Sequence, residues 1–142
     1  SFNPGDAKPN RFFERLNTLL RDGEIDKNPS LKEHADRISE GIAKFKLTHN
    51  VIAYRRDSFD ISSGSPTGGY FRIKQFVSSS VRRGGALKGV FEFVLYVKSG
   101  SRAAYIEGLS HFPDQRELLI DKDALFKVLS RQGNLIELEV IT

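Results

Sequence analysis

The sequence predicts an α+β fold in which the helices come first and the strands follow. Three observations carry this. Apolar residues keep helical spacing from Arg11 to about Thr48. From Asn50 onward the apolar runs are short, β-branched and aromatic, with alternating faces. No helical stretch separates one strand from the next, so a doubly wound parallel sheet is excluded, and no Gly-x-Gly-x-x-Gly fingerprint is present. The 142 residues are expected to form one domain, with an irregular lead-in at 1–10, a helical part at 11–48 and a β-rich part at 50–142.

The lead-in "SFNPGDAKPN" holds two prolines and a glycine, which disfavour regular structure. In "RFFERLNTLLRDGEI", Phe12, Phe13, Leu16, Leu19 and Leu20 fall on one helical face, and Gly23 is a stop signal. The next segment, "NPSLKEHADRISEGIAKFKLT", offers Ser30 and Glu33 as a capping box. Its stripe is Leu31, Ala35, Ile38, Ile42 and Phe45. Both helices read as packing elements. Five to seven strands follow. "VIAYRR" is the first, and "GGYFRIKQFVSSSV" alternates through Phe71, Ile73 and Gln75. "VFEFVLYVKSG", "RAAYIEGL", "RELLID", "LFKVLSR" and "NLIELEVIT" complete the set.

Composition narrows the chemistry. There is no cysteine, which excludes disulfides, thiolate nucleophiles and zinc–sulfur sites. His34, His49 and His111 lack metal-ligand spacing, and no Gly-x-Ser-x-Gly elbow is present. No apolar run is long enough to span a membrane. The net charge of +4 divides as +1 over residues 1–50, +5 over 51–110 and −2 over 111–142. A basic middle segment suits an anionic ligand, either a dinucleotide or a nucleic-acid backbone.

Three pieces within or beside that segment combine. In "VIAYRRDS", Tyr54 precedes Arg55 and Arg56, and alternation sends the two arginines to opposite faces. An arginine fork can hold phosphate bidentately. "FVSSSV" places Phe76, Ser78 and Ser80 on one face, and small hydroxyls there let a flat ligand approach the backbone. In "SHFPDQRELLI", Gln115 and Glu117 share a face of an extended segment, while Phe112 before Pro113 is held outward by a turn. Each piece alone is also what an ordinary surface strand or turn presents.

As an ordered set, the three resemble the mono-ADP-ribosyltransferase toxin family over about residues 10–142. Tyr54-Arg55 matches its aromatic-Arg, Phe76-Val77-Ser78-Ser79-Ser80 its Phe-x-Ser-Thr-Ser strand, and Gln115-Arg116-Glu117 its Gln-x-Glu variant. The resemblance implies N-terminal helices on a split, mainly antiparallel β core. It implies NAD as substrate without a metal, with Glu117, Gln115 and Ser78 as catalytic residues. Arg55, Tyr54, Phe76, Ser80, Arg82 and Arg83 would bind NAD, with Gly84-Gly85 letting the loop bend, and Phe112 would recognise the acceptor. The gap between Arg55 and Ser78 is shorter than in larger members, which bears on how the adenine end is held.

Arginine-modifying members carry glutamate where Gln115 stands, so the resemblance implies another acceptor. Rho-modifying clostridial exoenzymes and guanine-modifying pierisin-like enzymes carry Gln-x-Glu, and the former have an aromatic at the spacing of Phe112. A protein acceptor is favoured over RNA or DNA, with small molecules last. The resemblance further implies a C-terminal cargo domain of a larger bacterial toxin, acting in the target-cell cytoplasm, without a membrane partner. An immunity protein would protect the producer. The rival is a non-enzymatic nucleic-acid-binding α+β module that uses the basic residues 55–102 and leaves Glu117 without a task.

Overall fold

The computed structural model of the chain describes residues 4–82, 90–106 and 117–142. Helices α1 (Pro4–Asp22) and α2 (Pro29–Lys44) precede eight strands. These are β1 (Val51–Asp57), β2 (Tyr70–Ile73), β3 (Val77–Ser80), β4 (Phe91–Val97), β5 (Ala103–Ile106), β6 (Glu117–Ile120), β7 (Ala124–Gln132) and β8 (Leu135–Ile141).

Both helices depart from expectation at their starts. The lead-in is helical from Pro4 rather than irregular. Proline fits the first helical position because its missing N–H has no partner to lose there. Gly23 does end α1: it takes a φ of +72°, while Glu24 N–H reaches the Leu19 carbonyl at 2.9 Å. The cap of α2 is Asn28, whose Oδ1 accepts from Leu31 N–H at 3.2 Å, and Ser30 lies inside the helix. Pro29 decides this by occupying the first helical position. Glu33 pairs with Arg37 at 2.7 Å instead of closing a capping box.

The strands form one sheet in the order β2-β7-β8-β4-β1-β3-β6-β5. Neighbours are antiparallel except β4 and β8, which run parallel. The stretch read as a single run, 68–81, is two strands far apart in the sheet. β2 pairs β7 at one edge, and β3 lies between β1 and β6. The break falls at Lys74–Phe76, where Phe76 N–H bonds Asn17 Oδ1 of α1 at 3.1 Å instead of a strand neighbour.

Two cores result. Between the sheet halves lie Ala53, Val77, Phe93, Leu95, Leu118, Ile120, Phe126 and Leu138 with their neighbours. Between the helices and the β3–β6 face lie Leu16, Leu20, Leu31, Ala35, Ile42, Phe76 and Leu119. β6 therefore sends Leu118 and Ile120 into one core and Leu119 into the other. Beyond its end, Asp121 accepts from Ser39 of α2 at 2.7 Å and from Arg102 at 2.7 Å, tying the helical layer to the sheet.

Phe76 is 1% exposed and packs against Phe13 at a ring distance of 5.9 Å. Its expected contact with NAD is corrected here: the ring fills the helix–sheet core and has no open face. Phe76→Ala should destabilise the fold by about 3–5 kcal/mol, read from denaturant unfolding.

Candidate active site

β1 and β3 share one bridge, Tyr54 opposite Ser80, and then part. Arg55, the next residue of β1, occupies the fork. Its Nε and Nη2 donate to the two Asp57 carboxylate oxygens at 2.8 and 3.0 Å. Its Nη1 donates to the Ser78 carbonyl at 2.8 Å, an oxygen the parted strands leave without a ladder partner. The Arg55 side chain is 25% exposed. Three of its roughly five donors are thus engaged within the protein. Asp57 is buried, and sequence reading passed over it; the Arg-x-Asp spacing on one strand face was the available signal.

The three serines do different work. Ser79 is buried and donates to the Leu118 carbonyl at 3.0 Å. Ser80 donates to the Arg82 carbonyl at 2.9 Å and accepts from Arg82 N–H at 3.1 Å, shaping the exit from β3. The Ser78 hydroxyl, by contrast, has no hydrogen-bond partner among the described residues and is partly buried.

Glu117 opens β6 directly opposite Ser80, and Ser78 faces Leu119 two residues on. Cross-strand partners share a face, so Tyr54, Ser78, Ser80 and Glu117 lie on one side of the sheet. Ser78 is the diagonal neighbour of Glu117, within reach of a long side chain. The Glu117 carboxylate is partly buried and carries no hydrogen bond or ion pair among the described residues. Loss of water pushes its pKa above the ordinary 4.5.

The residues of the ordered set are therefore joined in an indirect way. Arg55 points from the face opposite Glu117 and meets the set through the Ser78 backbone, while Ser78 and Glu117 share a face without bonding each other. Arg82 is exposed just beyond Ser80, and Arg56 pairs with Glu92 at 3.1 Å. Arg83, Gly84, Gly85, Phe112 and Gln115 lie outside the described residues.

Comparison with known proteins places the chain as a whole. The model of the ADP-ribosyltransferase exoenzyme family matches residues 11–139. C3larvin toxin, an ADP-ribosyltransferase from Paenibacillus larvae, superposes over 100% of this chain and 90% of its own, with 18% identity and a TM-score of 0.71. The enzymatic component C2-I of the C2 toxin from Clostridium botulinum covers 96% of this chain with 42% of its own, at 21% identity and a TM-score of 0.76. The Clostridium limosum C3 exoenzyme covers 90% of this chain with 78% of its own, at 19% identity and 0.70. No curated protein matches. At these identities the structural likeness concerns the fold, which agrees with the expected helices on a mainly antiparallel core.

The geometry makes two predictions. Arg55→Lys cannot keep the fork geometry, so it should lower stability by about 1–3 kcal/mol in a denaturant titration. Glu117 has its folded pKa raised, so its ionised form costs stability at pH 7, a cost that vanishes as pH falls below 4.5. Glu117→Gln should therefore melt at a higher temperature than the parent at pH 7, and at the same temperature near pH 4, in paired thermal scans.

Proposed function

The chain belongs to the ADP-ribosyltransferase exoenzyme family of toxins and is an NAD-dependent mono-ADP-ribosyltransferase, and we propose that Glu117, Ser78 and Arg55 carry its chemistry. The observation that supports this most is the Glu117 carboxylate. A partly buried Glu117 without a partner among the described residues, beside a Ser78 hydroxyl that likewise has none among them, is set to receive a hydroxyl-bearing ligand rather than to hold the fold together.

Cleavage breaks the bond between nicotinamide and the ribose C1′, and the electron pair leaves with the nicotinamide nitrogen. Positive charge grows on the ribose in an oxocarbenium-like transition state. A fixed carboxylate that faces this charge stabilises it most where water is thin. Glu117 takes that role and accepts a hydrogen bond from the ribose 2′-hydroxyl, and Ser78 orients it. The acceptor then bonds to C1′ and gives its proton to solvent. Arg55 keeps the strands forked, and its two remaining N–H donors face a phosphate. Arg82, with Arg83, adds cationic contacts to the phosphates.

Gln115 selects the acceptor. An amide cannot act as a base, but it pairs with another amide, a hydroxyl or a base edge. We read the acceptor as a non-arginine site on a protein, recognised in part by Phe112. RNA or DNA stands second, because the +5 segment 51–110 supplies phosphate contacts. The non-enzymatic nucleic-acid module is set aside by the family membership. The domain acts as secreted cargo in the target-cell cytoplasm, and the producer is protected by an immunity partner, which co-purification with the neighbouring gene product would reveal.

Incubating target-cell lysate with labelled NAD, then digesting with protease or nuclease separately, tests the acceptor class. Label released by protease is the expected result, and label released only by nuclease reverses the assignment. Glu117→Gln should lower transfer by at least ~10²–10³-fold while the fold persists. Gln115→Ala should impair transfer more than NAD hydrolysis.

A further inference from the structure

A cavity of about 290 Å³ opens beside the fork. Arg55, Arg21 of α1, Arg72, Lys74, Gln75 and the largely exposed Phe59 are among the residues that line it. Four cations line it, and no carboxylate is among the described lining residues. That size falls just below the range of small-molecule pockets, roughly 300–1,000 Å³, so it suits one half of a dinucleotide rather than the whole.

Apart from Arg55, the cations are only partly engaged by other groups among the described residues. Lys74 has no hydrogen bond or ion pair among the described residues, although it also borders a neighbouring crevice with Asp26, Asp36 and Asp123. Arg72 gives one N–H to the Asp123 carbonyl. Arg21 contacts the Gln75 side chain at 3.5 Å and lies 3.9 Å from Asp22, which does not line the cavity. Phe59 is 60% exposed and can stack a base.

Position connects the cavity to the acid. Val77 lines the cavity three residues before Ser80, the cross-strand partner of Glu117. At roughly 3.3 Å per residue, about 10 Å separates the two levels, and Gln75 lies farther out. Arg55 and Val77 lie on the face opposite Glu117, so a dinucleotide with its ribose at Glu117 reaches Arg55 with its pyrophosphate through the opening where β1 and β3 part, which leaves the adenosine end in this cavity. A pyrophosphate is matched by Arg55 and Arg82 alone, so Arg21, Arg72 and Lys74 are in excess.

We propose that these three cations form a subsite for a phosphate on the adenosine ribose, so that the enzyme accepts the 2′-phosphorylated dinucleotide NADP as donor alongside NAD. This rests on the reading of Glu117 given above. A ribose phosphate brings about −1.5 to −2 charges at pH 7, and arginine receives that group in other dinucleotide sites. The bond broken is again the one between nicotinamide and C1′, and the 2′-phosphate stays on the transferred product.

The test titrates the full chain with adenosine 2′,5′-bisphosphate and with adenosine 5′-monophosphate in a calorimeter. The bisphosphate is expected to bind about tenfold more tightly. Arg72→Ala combined with Lys74→Ala should erase that preference. Both positions are solvent-exposed, and an unchanged melting temperature verifies the fold of the variant. Equal or weaker binding of the bisphosphate, or a preference that survives the double substitution, overturns the proposal. Nicotinamide release from NAD by the parent protein, followed in parallel, reports on Glu117 independently of the titration.

Discussion

The Arg55 guanidinium bridges Asp57 and the Ser78 carbonyl, and the shape of the site depends on that bridge. Two antiparallel strands that kept pairing would leave no opening between them. Here β1 and β3 part after one bridge, and parting exposes a carbonyl that must be satisfied. A planar, permanently charged group with a fixed fork of donors can do this while it is held from behind by a carboxylate. Lysine has the charge but lacks the plane. The arginine thus makes the cleft before it touches any ligand.

The placement of three residue types was legible: a guanidinium on the first strand, hydroxyls on an inner strand and an acid at the start of a later one. Their wiring was not. Alternation assigns faces but cannot say that Arg55 turns sideways to a neighbouring strand, because that depends on where two strands part. Phe71, Ile73, Gln75 and Val77 alternate through the break at Lys74–Phe76, so the pattern hides it. What marks the break is an Asn17 side chain 59 residues away in sequence that takes the Phe76 N–H. Asn28 and Ser30 are comparable caps by type, and only the proline between them decides. Phe76 shows the further limit that an aromatic on the serine face reads alike whether it meets a ligand or a helix.

The serine triplet shows how one residue type is divided by context. Ser79 is turned inward to a carbonyl, Ser80 closes the turn into Arg82, and the Ser78 hydroxyl has no partner among the described residues. A larger residue at Ser79 or Ser80, both buried, would crowd the strand between β1 and β6. The cationic cavity belongs to the same logic. Its residues come from α1, β1 and the stretch around β2 and β3, and no local spacing in the sequence gathers them.

β6 has apolar cover on both sides, with Leu118 and Ile120 in one core and Leu119 in the other. Such a strand has no low-energy way to slide, because a shift of one place would exchange the contents of two finished interiors. Its amides should exchange with solvent only when the whole molecule opens. The acid is therefore mounted on a strand packed on both faces, and heating should abolish turnover and tertiary structure in a single event, with no folded but inactive form between them.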